Sequence, residues 1–383
     1  MITLQRIRIV ACSRWLCTSH CKPVGPNISV SGESGHGSLS FRNLSTSTER
    51  RTIMPAWVID GYGGNEVLRF TKNASFPIIH YPNEVIVKVH AAGLNPIDIS
   101  MRGGYGAATL AMRRDPLNIN QSGREFPLVL GRDVSGVIME CGLDVAYFKP
   151  GDEVWAAVPP WKQGGLAEFV VLSANEVSHK PKSLSHPEAA AVPYVASTAW
   201  SALVNTGGVS KDNCANKRML IIGASGGVGT FAIQMLKAWG AHQLKSLEKF
   251  DLILDNVGGV TENWALDFLK PWAGAKYVTL VTPFLFNTDR LGVADGMMQN
   301  GVTIARKTLK HLCKGVHYRW GFFAPSGPTL DDISEMVDAG QVRPVLEEQF
   351  PFSQVPQAFL KLEKGHARGK TVVNVVTGSG DAQ

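Results

Sequence analysis

The chain has 383 residues, 44% of them hydrophobic, with 39 glycines and a formal net charge of +6. That length points to about two domains, the composition is that of an ordinary α/β protein, and no apolar run approaches the roughly 20 residues that a bilayer crossing needs. The charge is uneven: through Met54 seven basic residues (Arg6, Arg8, Arg14, Lys22, Arg42, Arg50, Arg51) face two acidic ones (Glu33, Glu49), which leaves +5 there and a remainder near neutral, so nothing argues for nucleic-acid binding by the folded part.

Residues 1–54 are rich in Ser, Thr and Arg and open on MITLQRIRIVACSRWLC, where basic and apolar residues can segregate on a helix. They read as a mitochondrial transit peptide, with a tail of no targeting role as the alternative and cleavage somewhere within Phe41 to Pro55. Cys12, Cys17 and Cys21 would leave with it. Cys141, Cys214 and Cys313 are too scattered for a disulfide framework or a metal knuckle.

From Pro55 the pattern becomes strand-like. AWVID, EVLRF and EVIVKVHAAG repeat apolar residues at period two, and Val134 to Glu140, Glu153 to Ala157 and Leu166 to Leu172 are further strand candidates. Many short strands with little helix between them predict a β-rich domain of the partly closed barrel kind over 55–195. Helical periodicity begins near Pro187. Strands FDLILD and KYVTLV then alternate with helical or irregular stretches over 196–345, as in an open parallel sheet. Ser353 reads as the cap of a late helix, KTVVNVV as the closing strand, and 377–383 as a disordered tail.

The most informative stretch is MLIIGASGGVGTFAIQ, Met219 to Gln234. An apolar strand leads into a glycine cluster and then a helical pattern, the order that a dinucleotide-binding turn requires. Ala224, Gly226 and Gly229 fill the three positions of the G-x-G-x-x-G fingerprint: a small residue for the tight turn, a glycine for close approach of a pyrophosphate, and a glycine for packing of the helix on the strand. The helix then presents free N–H groups to the phosphates. Ser225, Gly226, Gly227, Val228 and Gly229 are therefore candidate cofactor contacts, and a purely structural loop of small residues is the rival reading.

Together with VKVHAAGLNPIDISMRGGY, FPLVLGRDVSGVI, FKPGDEVWA, DNVGG and GKTVVNV, the turn makes Pro55 to Val376 resemble the zinc-less quinone oxidoreductases of the medium-chain dehydrogenase/reductase superfamily. PAWVIDGYGGNEVLRF and VPPWKQG are most similar to a mitochondrial, reticulon-interacting branch of it. The resemblance implies a GroES-like substrate domain, completed by 346–376, and a Rossmann-type doubly wound parallel sheet with NADPH in the cleft. It implies hydride transfer to a quinone or another conjugated carbonyl. The implied setting is the mitochondrial matrix, with association with the outer membrane as the alternative. A reticulon-family protein and, by analogy, a second copy in a homodimer are the implied partners. An enoyl-thioester reductase, and an interaction protein that keeps the fold without turnover, are the alternatives.

Zinc-dependent relatives carry a cysteine and a histidine where this chain has Asn95 and Arg132, and the 152–168 interval contains no cysteine for a structural zinc loop. An amide and a guanidinium do not hold a catalytic zinc, so no metal is expected. Without a Lewis acid, hydride donation into an electron-poor acceptor is the easier chemistry, because hydrogen-bond donors suffice for the developing oxyanion.

The resemblance also assigns candidate residues. Asn95 and Asp98 would line the cleft near the nicotinamide, although N-P-x-D is also a good turn and cap. The family often has a tyrosine where this chain has Ser100, which leaves the proton donor unassigned with Tyr105 nearby. Arg132 would orient a carbonyl or pair with an acid. Asn256, Val257 and Gly258, and Leu280 and Thr282, would meet the cofactor at the carboxyl ends of two strands. Phe323 and Ala324 would meet the carboxamide, and His366, Ala367 and Arg368 would bring a basic group to a phosphate. Trp155, Trp161, Tyr194 and Trp200 would form an acceptor pocket, or simply core.

One interval is too short. Only AHQLKSLEK separates Gly240 from Phe250, where the family carries further strands and helices, and about 30 residues are expected to be missing compared with close relatives. The lost part includes the strand end that reads the adenosine ribose. Either the chain is a splice product or incompletely assembled coding sequence with a truncated Rossmann domain, or Lys245 or Lys249 takes over the role.

Overall fold

The computed structural model describes residues 52–109, 125–242, 248–365 and 368–376. Apart from 52–54, the expected leader lies outside the described residues, as do the 377–383 tail, Lys245, His366 and Ala367.

The first strand, Ile53–Ile59, pairs antiparallel with Leu68–Ser75 and with Leu128–Val129. It begins two residues inside the segment read as leader, and Met54 is buried in the front core. EVLRF is not one strand: Asn65–Val67 form a 3₁₀ turn and the strand starts at Leu68. A larger sheet runs in the order Leu346–Pro351, Lys370–Asn374, Glu84–Leu94, Asp133–Cys141, Glu153–Ala157, Val177–His179, with Phe169–Ser173 also paired to Glu84–Leu94. Glu84–Leu94 is buried on both faces, one in the front core and the other under Ala190 and Ala191.

The C-terminal segment returns to this sheet. Lys370–Asn374 pairs antiparallel with Ala91 to Leu94, and Phe359 of the Val355–Glu363 helix enters the front core. Ser353 does not cap that helix; it lies in a 3₁₀ turn, Phe352–Gln354, and Gln354 is the residue before the first helical one.

The second sheet is parallel and four-stranded, in the order Met219–Ile222, Leu252–Asp255, Lys276–Thr279, His317–Trp320. Strand order follows chain order, so the reversal expected of a doubly wound sheet is not found among the described strands. Met219–Ile222 is an edge, and all four of its residues are partly exposed. The Gly227–Ala238 helix packs through Phe231, Ala232, Met235 and Leu236 on the face that carries Leu252 and Leu254. Ala265 of the Val260–Ala265 helix and Ile304 of the Val293–Leu312 helix pack on the opposite face, with Ile253 and Tyr277.

That arrangement has a handedness. Three successive crossovers step the same way across the sheet, yet the first helix lies on one face and the later ones on the other. Two of the three therefore share a hand and the first has the opposite one. Parallel crossovers are right-handed in about 98% of cases, so the Met219–Ile222 to Leu252–Asp255 connection is the exception.

Candidate functional site

The site is built where strands end. Ile222 leads into Gly223, whose φ of +76° makes the sharp turn; the left-handed residue thus precedes Ala224, and an alanine at the first fingerprint position needs no unusual backbone. Ser225 and Gly226 are exposed, and the Gly227–Ala238 helix starts directly after them. A Cβ on Gly229 would lie 2.4 Å from Gly223 O and 2.7 Å from Ala224 Cα, so only glycine lets the helix approach the turn. A Cβ on Gly226 would meet nothing nearer than 3.7 Å. The turn is an open cradle with the positive end of a 12-residue helix behind it.

The neighbouring strand ends complete one side. Asn256 Nδ2 donates to Ile222 O at 3.0 Å, while its Oδ1 is buried without a hydrogen-bond partner among the described residues. Val257 is exposed, and Gly258 has a φ of +68° with Val281 Cβ 2.7 Å from where its own Cβ would stand. Leu280 N donates to Asp255 O at 3.1 Å and Thr282 is partly exposed just beyond. The sequence reading missed Asp255 as the residue that shapes this edge. Its Oδ1 accepts from the N–H groups of Val257 and Gly258, both at 2.9 Å, and its Oδ2 from the hydroxyls of Thr261 and Tyr277. Burial raises a carboxyl, but these donors outweigh it and hold Asp255 below the ordinary range, while burial and Asp255 push the Tyr277 phenol far up.

Facing the turn from the front domain is a buried polar cluster. Asn95, at the start of the Pro96–Arg102 helix, donates from Nδ2 to Asp133 Oδ2 at 2.8 Å. Lys370 Nζ donates to Asn95 Oδ1 at 2.5 Å, to Asp133 Oδ2 at 2.9 Å and to Leu94 O at 2.9 Å. Asp133 Oδ1 accepts from Tyr194 N. The Lys370 Cδ would lie 3.8 Å from a Cβ on Gly227, which brings this cluster against the glycine turn. Lys370 was not singled out in the sequence, although GKTVVNV contains it; a lysine in a strand gives no hint that its ammonium is buried.

Asp98 has a different place from the catalytic one expected. It is fully buried; its Oδ2 accepts from Asn95 N at 2.8 Å and its Oδ1 from Gly131 N at 2.7 Å, with Arg132 Nε 3.5 Å away. Burial pushes its carboxyl up, against the pull of Arg132 and the two N–H groups. Asn95 is 2% exposed and engaged on both side-chain atoms. The geometry therefore makes both positioning groups. Arg132 is fully buried as well, donating to Pro159 O, Lys162 O and Val129 O. The two positions that match zinc ligands are thus an amide and a guanidinium already committed to protein groups, and this donor set does not fit a catalytic zinc.

Phe323 stacks on Tyr194 with ring centroids 4.3 Å apart and planes at 15°, which places it beside the Asp133 cluster, and Ala324 follows, partly exposed. Of the other aromatics, Trp155 is fully buried and Trp200 packs edge-on against Trp239, so these two are core and not an acceptor pocket. Arg368 is exposed, with its N–H on Glu347 Oε2 at 3.1 Å. A small cavity between the turn and the closing strand is lined by Val195, Ser225, Gly227, Arg343, Gly369 and Lys370. The open cradle, the orphaned Asn256 oxygen and the flanking cations fit a pyrophosphate and a carboxamide. Lys249, by contrast, precedes the Leu252–Asp255 strand and donates to Asp267 O at the amino-terminal end of the sheet, so it cannot serve the opposite, carboxyl edge.

Comparison with known proteins agrees with this architecture. Residues 81–182 match the alcohol dehydrogenase GroES-like domain family and residues 234–373 the zinc-binding dehydrogenase family. A Danio rerio protein named NAD(P)H oxidoreductase RTN4IP1, mitochondrial, is 67% identical over 400 aligned positions that use 96% of this chain and 99% of the relative. A Caenorhabditis elegans protein named Reticulon-4-interacting protein 1, mitochondrial, is 34% identical over 85% of this chain and 96% of its own length. The solved quinone oxidoreductase from Coxiella burnetii superposes with a TM-score of 0.65 at 27% identity, covering 85% of this chain and all of that one. The chain belongs to the RTN4IP1 family of NAD(P)H oxidoreductases, within the quinone oxidoreductase branch of the medium-chain dehydrogenase/reductase superfamily.

Proposed function

We propose that the chain transfers hydride from NADPH to a quinone or another conjugated carbonyl acceptor in mitochondria, without a catalytic metal. The observation that carries this reading is the open Ser225–Gly229 turn set against the Asn95–Asp133–Lys370 cluster. When bound, the reduced nicotinamide supplies the hydride. The chain's own part is to hold the pyrophosphate on the N–H groups at the start of the Gly227–Ala238 helix, to offer Asn256 and the strand ends to the carboxamide, and to place Tyr194 and Phe323 as an apolar wall for the acceptor. The acceptor would take up that hydride together with a proton from water, which balances its two-electron reduction.

The names of the relatives support the mitochondrial setting and a reticulon-family partner. Among the described residues, no helix is long and apolar enough to cross a membrane. A homodimer is consistent with the superfamily. The roles of Asn256, Val257, Gly258, Leu280, Thr282, Phe323, Ala324 and Arg368 as cofactor contacts are part of this proposal.

The test is consumption of NADPH by the purified chain, followed in parallel with a short-chain quinone, a 2-alkenal and an enoyl thioester. Saturable turnover fastest with the quinone is expected. Turnover confined to the thioester would move the assignment to an enoyl reductase. A folded chain that turns over none of them but captures a reticulon-family protein would replace the enzyme with an interaction protein.

A further inference from the structure

We infer that this chain holds the nicotinamide and pyrophosphate part of a dinucleotide but not its adenosine end, and so does not discriminate between NADPH and NADH. The inference rests on the nicotinamide site proposed above and concerns what lies beyond it.

In an open sheet of this kind, the adenosine ribose is read by the strand that lies beside the glycine-turn strand on the side away from the later ones, at its carboxyl end about 20 residues past the fingerprint. Here that side of Met219–Ile222 is an edge among the described residues, and the chain passes from Gly240 to Phe250 directly into the strand on the other side. The first crossover has the hand opposite to the others, which a preceding strand, helix and strand on the empty side would remove, because the Gly227–Ala238 helix would then feed a strand in the other direction. The Danio rerio alignment agrees in size: it runs over 400 positions but uses 96% of a 383-residue chain, so about 30 positions face no residue of this chain.

Of the cations near the turn, Arg343 lines the small cavity on the side of the closing strand, and the Lys370 ammonium is paired with Asp133. Lys249 is at the wrong end of the sheet. Among the described residues, no strand pairs beyond Met219–Ile222 to carry a carboxylate for a ribose 2′-hydroxyl or a cation for a 2′-phosphate at its carboxyl end. An intact clamp on that phosphate is worth roughly tenfold to a hundredfold in affinity, from one or two charge-assisted hydrogen bonds.

The experiment is equilibrium titration of the purified full chain with NADPH and NADH, read by the fluorescence of the reduced nicotinamide, with adenosine 2′,5′-bisphosphate as a competitor. Dissociation constants within about threefold of each other and no competition are expected. NADPH binding more than about tenfold tighter than NADH, or displacement by the bisphosphate, would overturn the inference while leaving the nicotinamide site standing. Binding of neither would overturn the site itself and the inference with it. A second protein, in which the positions of the Danio rerio relative that face no residue of this chain are inserted where they align, should acquire a preference for one of the two dinucleotides of at least about tenfold. An insertion that folds and still binds both alike would also overturn the inference.

Discussion

Lys370 Nζ lies 2.9 Å from Asp133 Oδ2 although 237 residues separate them, and both side chains are buried. The pair ties the closing strand to the middle of the front sheet and, through Asn95, to the start of the Pro96–Arg102 helix. Lys370→Met would leave a buried carboxylate without its cation, at a cost of about 3–5 kcal/mol in urea unfolding. Lys370→Met combined with Asp133→Leu should recover part of that loss, because an apolar pair leaves no orphaned charge. A single lysine variant within about 1 kcal/mol of the parent would show that the pair is not what holds the closing strand to the front sheet.

The two glycines of the fingerprint should separate folding from binding. Gly229→Ala drives a methyl to 2.4 Å from Gly223 O, an overlap that must push the helix off the turn and cost about 1–3 kcal/mol. Gly226→Ala puts its methyl into open space, so thermal unfolding should move little while every reduced nicotinamide binds more weakly. Equal stability losses in the two variants would contradict the cradle geometry.

Much of this site was legible because backbone requirements leave a mark in sequence. The glycine turn had to read as strand, glycines and helix, and the strand ends at DNVGG announced themselves by their turn residues. Lys370 and Asp255 were not legible in the same way, since their roles come from burial and from partners far along the chain. Asn95 and Asp98 carried two readings in the sequence, cleft residues or turn and cap: the N-P-x-D pattern names a helix start, and only the distances to Gly131, Arg132 and Lys370 reveal that every oxygen is already engaged. The short Gly240 to Phe250 interval pointed to missing strands, whereas the reversed crossover needed the packing of Leu252 and Ile253 on opposite faces.

His186 gives the fold a pH dependence. Its ring packs tilted against that of His90 at 4.3 Å, its Nδ1 is 2.8 Å from Ser135 Oγ, and its Nε2 faces Glu153 at 3.3 Å, with Lys180 beyond. Burial, then His90, push its pKa from 6.5 down to about 4, against the pull of Glu153. His90 is lowered by burial and by Lys88. Between those values the unfolded chain binds the proton and the folded one does not. Stability from His186 is therefore complete above pH 6.5 and falls as the pH drops toward 4, by about 2 kcal/mol after allowance for partial exposure. Urea unfolding at several pH values should show this slope in the parent and a shallower one in His186→Gln; identical slopes would assign the effect elsewhere.

Asp289, on the Phe284–Leu291 helix, accepts from Gly106 N at 2.6 Å and Ala108 N at 3.1 Å, and the adjacent Thr288 and Thr109 hydroxyls are 2.9 Å apart. One carboxylate thus fastens the segment after the Pro96–Arg102 helix to the nucleotide side of the molecule. Tyr105 lies in that segment, and its phenol is pushed up first by burial and then by the charge of Asp289. Asp289→Asn keeps the shape but removes the charge, so Tyr105 should titrate lower, followed by its ring-carbon resonance, at a stability cost of about 1 kcal/mol. Asp289→Ala removes both acceptors and should cost about 1–3 kcal/mol and open Gly103 to Thr109 to proteolysis. An unchanged cleavage pattern in the alanine variant would mean that the segment is held by its other contacts, and that the carboxylate is only a neighbour.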